Sequence, residues 1–569
     1  MQLLYYTRKP LAESIYAPKL ADSVHFAFIE DGKALPLLHN SGIVYAKAVP
    51  GEQDLLHAYS LRDPWMTCVD GVWQIVARRI EVDGTPDATS EGKLLHFTSE
   101  DLIHFTEQPM LCSCCELAKA YAAREAVCIE GIELPEGCIP AGIVEISDEV
   151  ALGMRNRFIT PVNVANVVPA QVEASCAADL AKVKAVARYS DGSEVEKPVD
   201  WLLDGVDFST PGEYEVEGYI HQNRFEFPVA WHKADPAICK WQGKYYFIST
   251  NDEDANHSLY IRVADSIPEL VMAQQHRILD TTMYPHLGNL LWAPELHIIN
   301  DRLYIFHAGT PESFFCEQCH VMALKEGGNP IKMSDWEMSR RVVKPDGSVL
   351  YGEEGITLDM TVFWSAGKLY ASWSQRQFKP VDLGAWLFIA ELDPEKPWQL
   401  KTEPQVLTVP EYGWENNHVF VVEGPFALYK NGRIYLSYSG ALVDSTYVVG
   451  MLSMADGADP LDMASWTKEN YPLLSSRSVD GEYGPGHNAY VTDDDGLVWN
   501  TYHARPGFYP TQQGSSSERV PGSEVIFGAR SSGIRRVHFN VEGYPILDMT
   551  EEMDLVPSLK WVKTKVVVK

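Results

Sequence analysis

One hairpin pattern, repeated at near-constant spacing, constrains this chain more than any other feature. An apolar run meets a polar turn carrying Gly or Asn-Asp, and a second run rich in aromatics follows. The copies are ICKWQGKYYFIST (238–250), LHIINDRLYIFHAG (296–309), VFWSAGKLYASWSQ (362–375), FALYKNGRIYLSYSG (426–440) and AYVTDDDGLVWNTYHA (489–504). Their turn residues Gly243, Asp301, Gly367, Gly432 and Gly496 lie 58, 66, 65 and 64 residues apart. Turns of this composition supply the positive φ values that a tight hairpin needs. A period of about 60 residues with one hairpin per unit predicts a radial repeat. The chain is therefore expected to be all-β, with a five-bladed β-propeller over 231–569. Unrelated hairpins stacked in a β-sandwich are the competing arrangement.

Two further regions precede the repeat. The segment 151–230 contains VKAVARYSDGSEVEKPVDWLLDGVDFSTPGEYEVEGYI, whose short alternating strands, Ser-Asp-Gly and Pro-Gly turns and Trp201 predict a small Ig-like β-sandwich. It resembles the Ig-like modules common in bacterial carbohydrate-active enzymes. Residues 1–150 read as a β-rich, blade-like accessory region, because DPWMTCVDGVWQIVARR (63–79) imitates DPAICKWQGKYYFIST (235–250). CELAKAYAAREAV (115–127) is the helix candidate.

Charge removes several functions. The 569 residues carry 47 Lys and Arg against 78 Asp and Glu, a formal net charge of −31. Such a chain is repelled by phosphate backbones and anionic lipid, so neither nucleic acid nor a membrane surface is expected as a partner. The opening MQLLYYTRKPLAESIY lacks the basic region, apolar core and cleavage site of a signal peptide, and ten cysteines sit at irregular spacing. Both features predict a cytoplasmic protein. The apolar runs fall short of a membrane span.

Each repeat opens on a polar signature: Ala234-Asp235-Pro236, Trp292-Ala293-Pro294-Glu295, Leu358-Asp359-Met360-Thr361, Glu423-Gly424-Pro425 and Gly484-Pro485-Gly486-His487-Asn488. Asp235 and Asp359 precede their turn residues by 8 positions, Glu423 and His487 by 9. First strands line a propeller's axis, so three carboxylates and a histidine are expected to converge there and to raise one another's proton affinity. Two carboxylates facing a polar substrate suit glycoside hydrolysis, one protonating the leaving oxygen and the other handling the nucleophile.

The ordered series ADP, WAPE, LDMT, EGP and GPGHN resembles the family 43 glycoside hydrolases over about 231–569, and ARSSGIRRVHFNVEGYPI (529–546) resembles that family's last blade. The resemblance implies a five-bladed propeller that cleaves terminal arabinofuranosyl or xylosyl units with inversion. It implies Asp235 as general base, Glu423 as general acid, and Asp359 as the group that tunes and holds the acid. It implies that His487 lies beside or ligates a structural calcium, with a satisfied axial histidine as the alternative. The chemistry requires no cofactor.

Trp292 is a candidate wall for the sugar or a blade-packing residue, and Arg530 a contact to substrate hydroxyls or a surface salt bridge. Glu295 and Arg505 are candidate rim groups. The expected partner is an arabinose- or xylose-containing oligosaccharide. The leading expectation is an α-L-arabinofuranosidase; a β-D-xylosidase and a non-catalytic sugar-binding propeller remain open. Asp63-Pro64 imitates Asp235-Pro236 without partner signatures. Cys316-Glu-Gln-Cys319-His320 spells a haem-attachment string but lacks an export signal and a second ligand pair. Cys112, Cys114 and Cys115 are expected to be incidental thiols.

Overall fold

The computed structural model describes residues 1–10, 15–352, 354–506 and 529–569, with the strand backbones at 518–519 and 526–527. Each repeat folds into a four-stranded antiparallel sheet whose strands follow sequence order. The blades open on Lys233–Trp241, Asn289–Ile299, Gly355–Ser365, Val422–Lys430 and Glu482–Thr492, and each pairs next with the second half of its hairpin. These first strands touch one another in cyclic order, the fifth against the first, so the ring is closed. Ala230 bridges Ser532 of the fifth blade, fastening the start of the ring to its end.

The hairpins form as their turn residues dictate. Gln242-Gly243, Asn300-Asp301, Ala366-Gly367 and Asn431-Gly432 all have positive φ at both positions, the geometry that matches strand twist in a two-residue turn. Alternate residues of neighbouring sheets then pack between the blades. Phe306, Val321, Met360, Leu369 and Trp373 form one such layer, and Leu387, Ile389, Leu436, Tyr438 and Leu452 another.

Two module boundaries differ from the expected ones. The strand Trp561–Val568 leaves the propeller and pairs with Gly212–Ile220 and Gln171–Glu173, so the end of the chain completes the Ig-like sandwich. The helix Asp148–Phe158 packs Ala151, Met154 and Phe158 into the N-terminal core rather than opening the sandwich. Ser147 caps that helix by accepting from the Val150 N–H, and Asp148 and Glu149 face its positive end. The expected helix at 115–127 is shorter, Glu116–Ala122.

The N-terminal region contains two four-stranded sheets around one core, and Tyr16, Leu20 and Tyr45 extend against Tyr412 and Trp414 of the segment entering the fourth blade. That segment is also held from the third blade. Gly384 has φ +77, and a Cβ there would lie 2.0 Å from the Phe420 carbonyl oxygen. Gly384→Ala is therefore expected to destabilise the propeller by roughly 2–4 kcal/mol, combining left-handed strain with overpacking. An unfolding transition that moves to lower temperature checks this; a variant that melts with the parent would show that the strand end yields freely.

Candidate active site

The signatures lie where the first strands are broken. Pairing slips between Ala234 and Ala237, Trp292 and Glu295, Leu358 and Thr361, Glu423 and Phe426, and Gly486 and Ala489. At these bulges Asp235, Ala293, Asp359, Gly424 and His487 have φ of +49, +43, +56, +56 and +52. A bulge kinks its strand and re-aims a side chain, and non-glycine residues with positive φ concentrate at functional sites. Here the bulges bring Asp235, Asp359, Glu423 and His487 to one cavity of about 230 Å³, whose wall also includes Trp292, Arg376, Val421, Val443 and Arg530. Glycine is required in Glu423-Gly424-Pro425, because a Cβ at Gly424 would lie 3.0 Å from His487 Nδ1.

The carboxylates have opposite surroundings. Burial alone would push Asp235 up, but the Arg530 guanidinium, with His487 and His503, holds it well below the usual carboxylate range. Arg530 Nη1 lies 3.2 and 3.3 Å from the two Asp235 oxygens, while its Nε and Nη2 donate to Asp252 at 3.0 and 2.9 Å. Thr250 donates to Asp235 Oδ2 at 2.6 Å. His503 Nδ1 meets Asp235 Oδ1 at 2.9 Å. Burial keeps that imidazole neutral, its pKa lowered to about 3, so this contact is a hydrogen bond rather than an ion pair.

Glu423 is raised instead: burial outweighs the Tyr447 hydroxyl, which donates to Oε1 at 2.8 Å, and the Asp235 charge adds to the rise. Asp359 is raised well above the ordinary range by burial and then by the charges of Glu423, Asp235 and Glu295; it accepts from the Gly424 N–H at 3.2 Å. Asp359 and Glu423 therefore bind protons more tightly than free carboxylates do, first because burial penalises the charged form and then because nearby carboxylates repel.

Two expected rim groups are buried elsewhere. Glu295 is 3% exposed, meets His297 Nε2 at 2.6 Å, and is not part of the cavity wall. Arg505 is 4% exposed and donates from Nη2 to the Val443 carbonyl at 2.6 Å, bracing the wall from behind. Arg530 is no surface salt bridge: it is gripped by two carboxylates on the cavity wall. Trp292 is half-buried on that wall, its ring centroid 5.9 Å from that of Phe314.

The residues at His487 do not fit calcium. Its Nδ1 faces Asp235 Oδ1 at 3.3 Å, and its Nε2 is buried without a partner, which offers a single nitrogen donor. Calcium takes six to eight oxygens, and among the described residues no group of three or more His, Cys, Asp or Glu could hold a metal.

Sequence reasoning missed Thr250, Tyr447, His503 and Asp252. Thr250 and His503 come from second strands, Tyr447 from just before a third strand and Asp252 from a turn, all outside the repeated signatures. Asp63 has the same bulge as Asp235, with φ +53, but it pairs with Arg78 outside the ring. Cys316 is exposed, Cys319 buried, and His320 Nδ1 contacts the Gln318 carbonyl at 2.8 Å, a packing arrangement rather than a haem site.

A model of glycosyl hydrolases family 43 matches residues 225–545, more than half of the chain, and a bacterial Ig-like domain (group 4) matches 181–223. An extracellular exo-α-(1→5)-L-arabinofuranosidase of Streptomyces avermitilis is 30% identical over 327 residues, 56% of this chain and 62% of that protein. One from Streptomyces chartreusis is 32% identical over 287 residues, 49% of this chain and 82% of that protein. A solved α-L-arabinofuranosidase from Lactobacillus brevis is 31% identical and covers 56% of this chain and 95% of that one, with a TM-score of 0.47. The chain thus spans about three fifths of the Streptomyces avermitilis relative. The cytoplasmic expectation does not stand, because both Streptomyces relatives are extracellular enzymes. Irregular cysteines were a poor guide to compartment: a chain with this much buried core needs no disulfide staples on either side of a membrane.

Proposed function

The chain belongs to family 43 of the glycosyl hydrolases, and on that premise we propose that it is an inverting exo-α-L-arabinofuranosidase acting on arabinose-containing carbohydrate outside the cell. One arrangement supports the mechanism: a carboxyl held well below the usual carboxylate range by its cationic neighbours and another raised above it by burial share one small cavity. Asp235 takes a proton from water as the water oxygen bonds to the anomeric carbon. The bond from that carbon to the leaving oxygen breaks, and Glu423 delivers its proton to this oxygen. Asp359, through the Gly424 N–H, fixes the bulge that aims Glu423, and the two buried carboxyls compete for ionisation. Arg530 and His503 hold Asp235 ionised and in place.

The size of the cavity supports release of single terminal units. About 230 Å³ lies below the roughly 300–1,000 Å³ of pockets for drug-sized ligands, which suits one sugar ring. Trp292 supplies an apolar face for it. Arginine on the wall is expected to act on the ring mainly through Asp235, since Arg530 is already committed to two carboxylates.

The test is hydrolysis of nitrophenyl α-L-arabinofuranoside against nitrophenyl β-D-xyloside, with NMR of the first-formed sugar. The expected result is preference for the arabinofuranoside and release of the opposite anomer. Preference for the xyloside would make the protein a xylosidase, retention would refute the roles of Asp235 and Glu423, and turnover of neither would favour a sugar-binding propeller.

A further inference from the structure

The segment 411–421, which leads into the Glu423 strand, is braced far more heavily than an ordinary surface connection. Ala48 N–H donates to the Glu411 carbonyl at 2.6 Å, and Lys47 bridges Tyr412. Lys19 Nζ donates to the Asn416 carbonyl at 2.9 Å and to its Oδ1 at 2.5 Å. From the propeller side, Tyr438 donates to the buried Glu415 carboxylate at 2.8 Å, and Lys468 pairs with it. Two separate modules thus fix one loop, which then presents a single strained histidine.

His418 has φ +62, an uncommon conformation for a residue with a Cβ. Its ring is 41% exposed, yet its Nδ1 lies 2.9 Å from Oδ2 of Asp444, whose side chain is fully buried. The other Asp444 oxygen accepts from the Thr446 N–H and hydroxyl, both at 2.6 Å. A carboxylate occupied in this way fixes the ring, so Nδ1–H donates inward and Nε2 faces outward. Among the described residues Nε2 has no hydrogen-bond partner. Strain and a buried aspartate are not needed to hold an idle surface histidine, and their coincidence marks a working position.

The location indicates what it works on. Val421, three residues beyond His418, and Val443, which precedes Asp444, both line the catalytic cavity. The Leu442 N–H donates to the Asn417 carbonyl at 3.1 Å, tying the two wall segments together. Glu423 follows on the same stretch of chain. A general acid stands on the leaving-group side of the scissile bond, and His418 stands five residues before it, anchored to Asp444 next to the wall residue Val443.

We propose that His418, oriented by Asp444 on a loop braced by the N-terminal region, hydrogen-bonds a hydroxyl of the leaving sugar and sets the preference for a carbohydrate leaving group. The proposal rests on the glycosidase reading above. It gives the N-terminal region a part in substrate selection, although none of its described residues lines the cavity.

The experiment compares an arabino-oligosaccharide with nitrophenyl α-L-arabinofuranoside, whose leaving group has no sugar hydroxyls. His418→Ala is expected to lower kcat/KM on the oligosaccharide about tenfold more than on the nitrophenyl substrate, the worth of one hydrogen bond. His418→Gln, which keeps a polar tip, is expected to recover part of that difference. Equal losses on both substrates would overturn the proposal, as would an unchanged ratio. Failure of the parent protein to hydrolyse either substrate would instead overturn the glycosidase reading. Lys19→Met is expected to reduce the same ratio by a smaller factor, through a raised KM for the oligosaccharide. A fall in kcat on both substrates would indicate a merely structural role for Lys19.

Discussion

Glu423→Gln is expected to lower kcat on an arabino-oligosaccharide by about 10²–10⁴-fold, the usual contribution of a positioned general acid. Glutamine keeps the shape and can still accept from Tyr447, but it has no carboxyl proton for the leaving oxygen. Nitrophenolate departs without protonation, so the nitrophenyl arabinofuranoside should lose far less. The pH profile follows from the same carboxyl. Glu423 has a raised pKa, so it stays protonated above the ordinary carboxylate range, and activity is lost as pH rises through that value. In the variant this alkaline limb should vanish. Thermal unfolding should occur no earlier than in the parent, because an uncharged amide replaces a buried acid beside Asp359. Equal losses on both substrates would remove Glu423 from the acid role.

Asp235→Asn is expected to lower turnover of both substrates by roughly 10³-fold or more, since no leaving group relieves the need for a base. A second effect compounds the first. The Asp235 charge raises the proton affinity of Glu423, and Arg530 opposes it. Without the Asp235 charge, the guanidinium is balanced only by Asp252, so the Glu423 pKa falls. The residual activity should then lose its alkaline limb at a lower pH than the parent. Folding should survive, because Thr250 and His503 still have a polar partner and Arg530 keeps both hydrogen bonds to Asp252. A variant that retains full activity would move the base elsewhere.

The carboxylate trio was legible because a propeller repeats. A residue at a fixed distance from its hairpin turn takes the same place in every blade, so Asp235, Asp359 and Glu423 could be aligned in number before any coordinate was known. The groups that tune them follow no such rule. Tyr447 reaches Glu423 from the connection just before a third strand, His503 reaches Asp235 from a second strand, and Asp252 holds Arg530 from a turn. Glu295 shows the reverse error: it belongs to a signature, yet its bulge buries it against His297 instead of on the wall.

The sequence by itself determined the hairpins, their number, the presence of an Ig-like module and the acids at the axis, because turn chemistry and strand alternation are local and the repeat makes them additive. Only the tertiary structure decided that the last strand returns to the Ig-like sandwich, that Arg530 serves Asp235, and that the N-terminal region braces the loop carrying His418. Those contacts join residues hundreds of positions apart, such as Lys19 and Asn416 or Asp235 and Arg530. Their energies depend on burial and on the charges gathered nearby, which no local pattern of residues encodes.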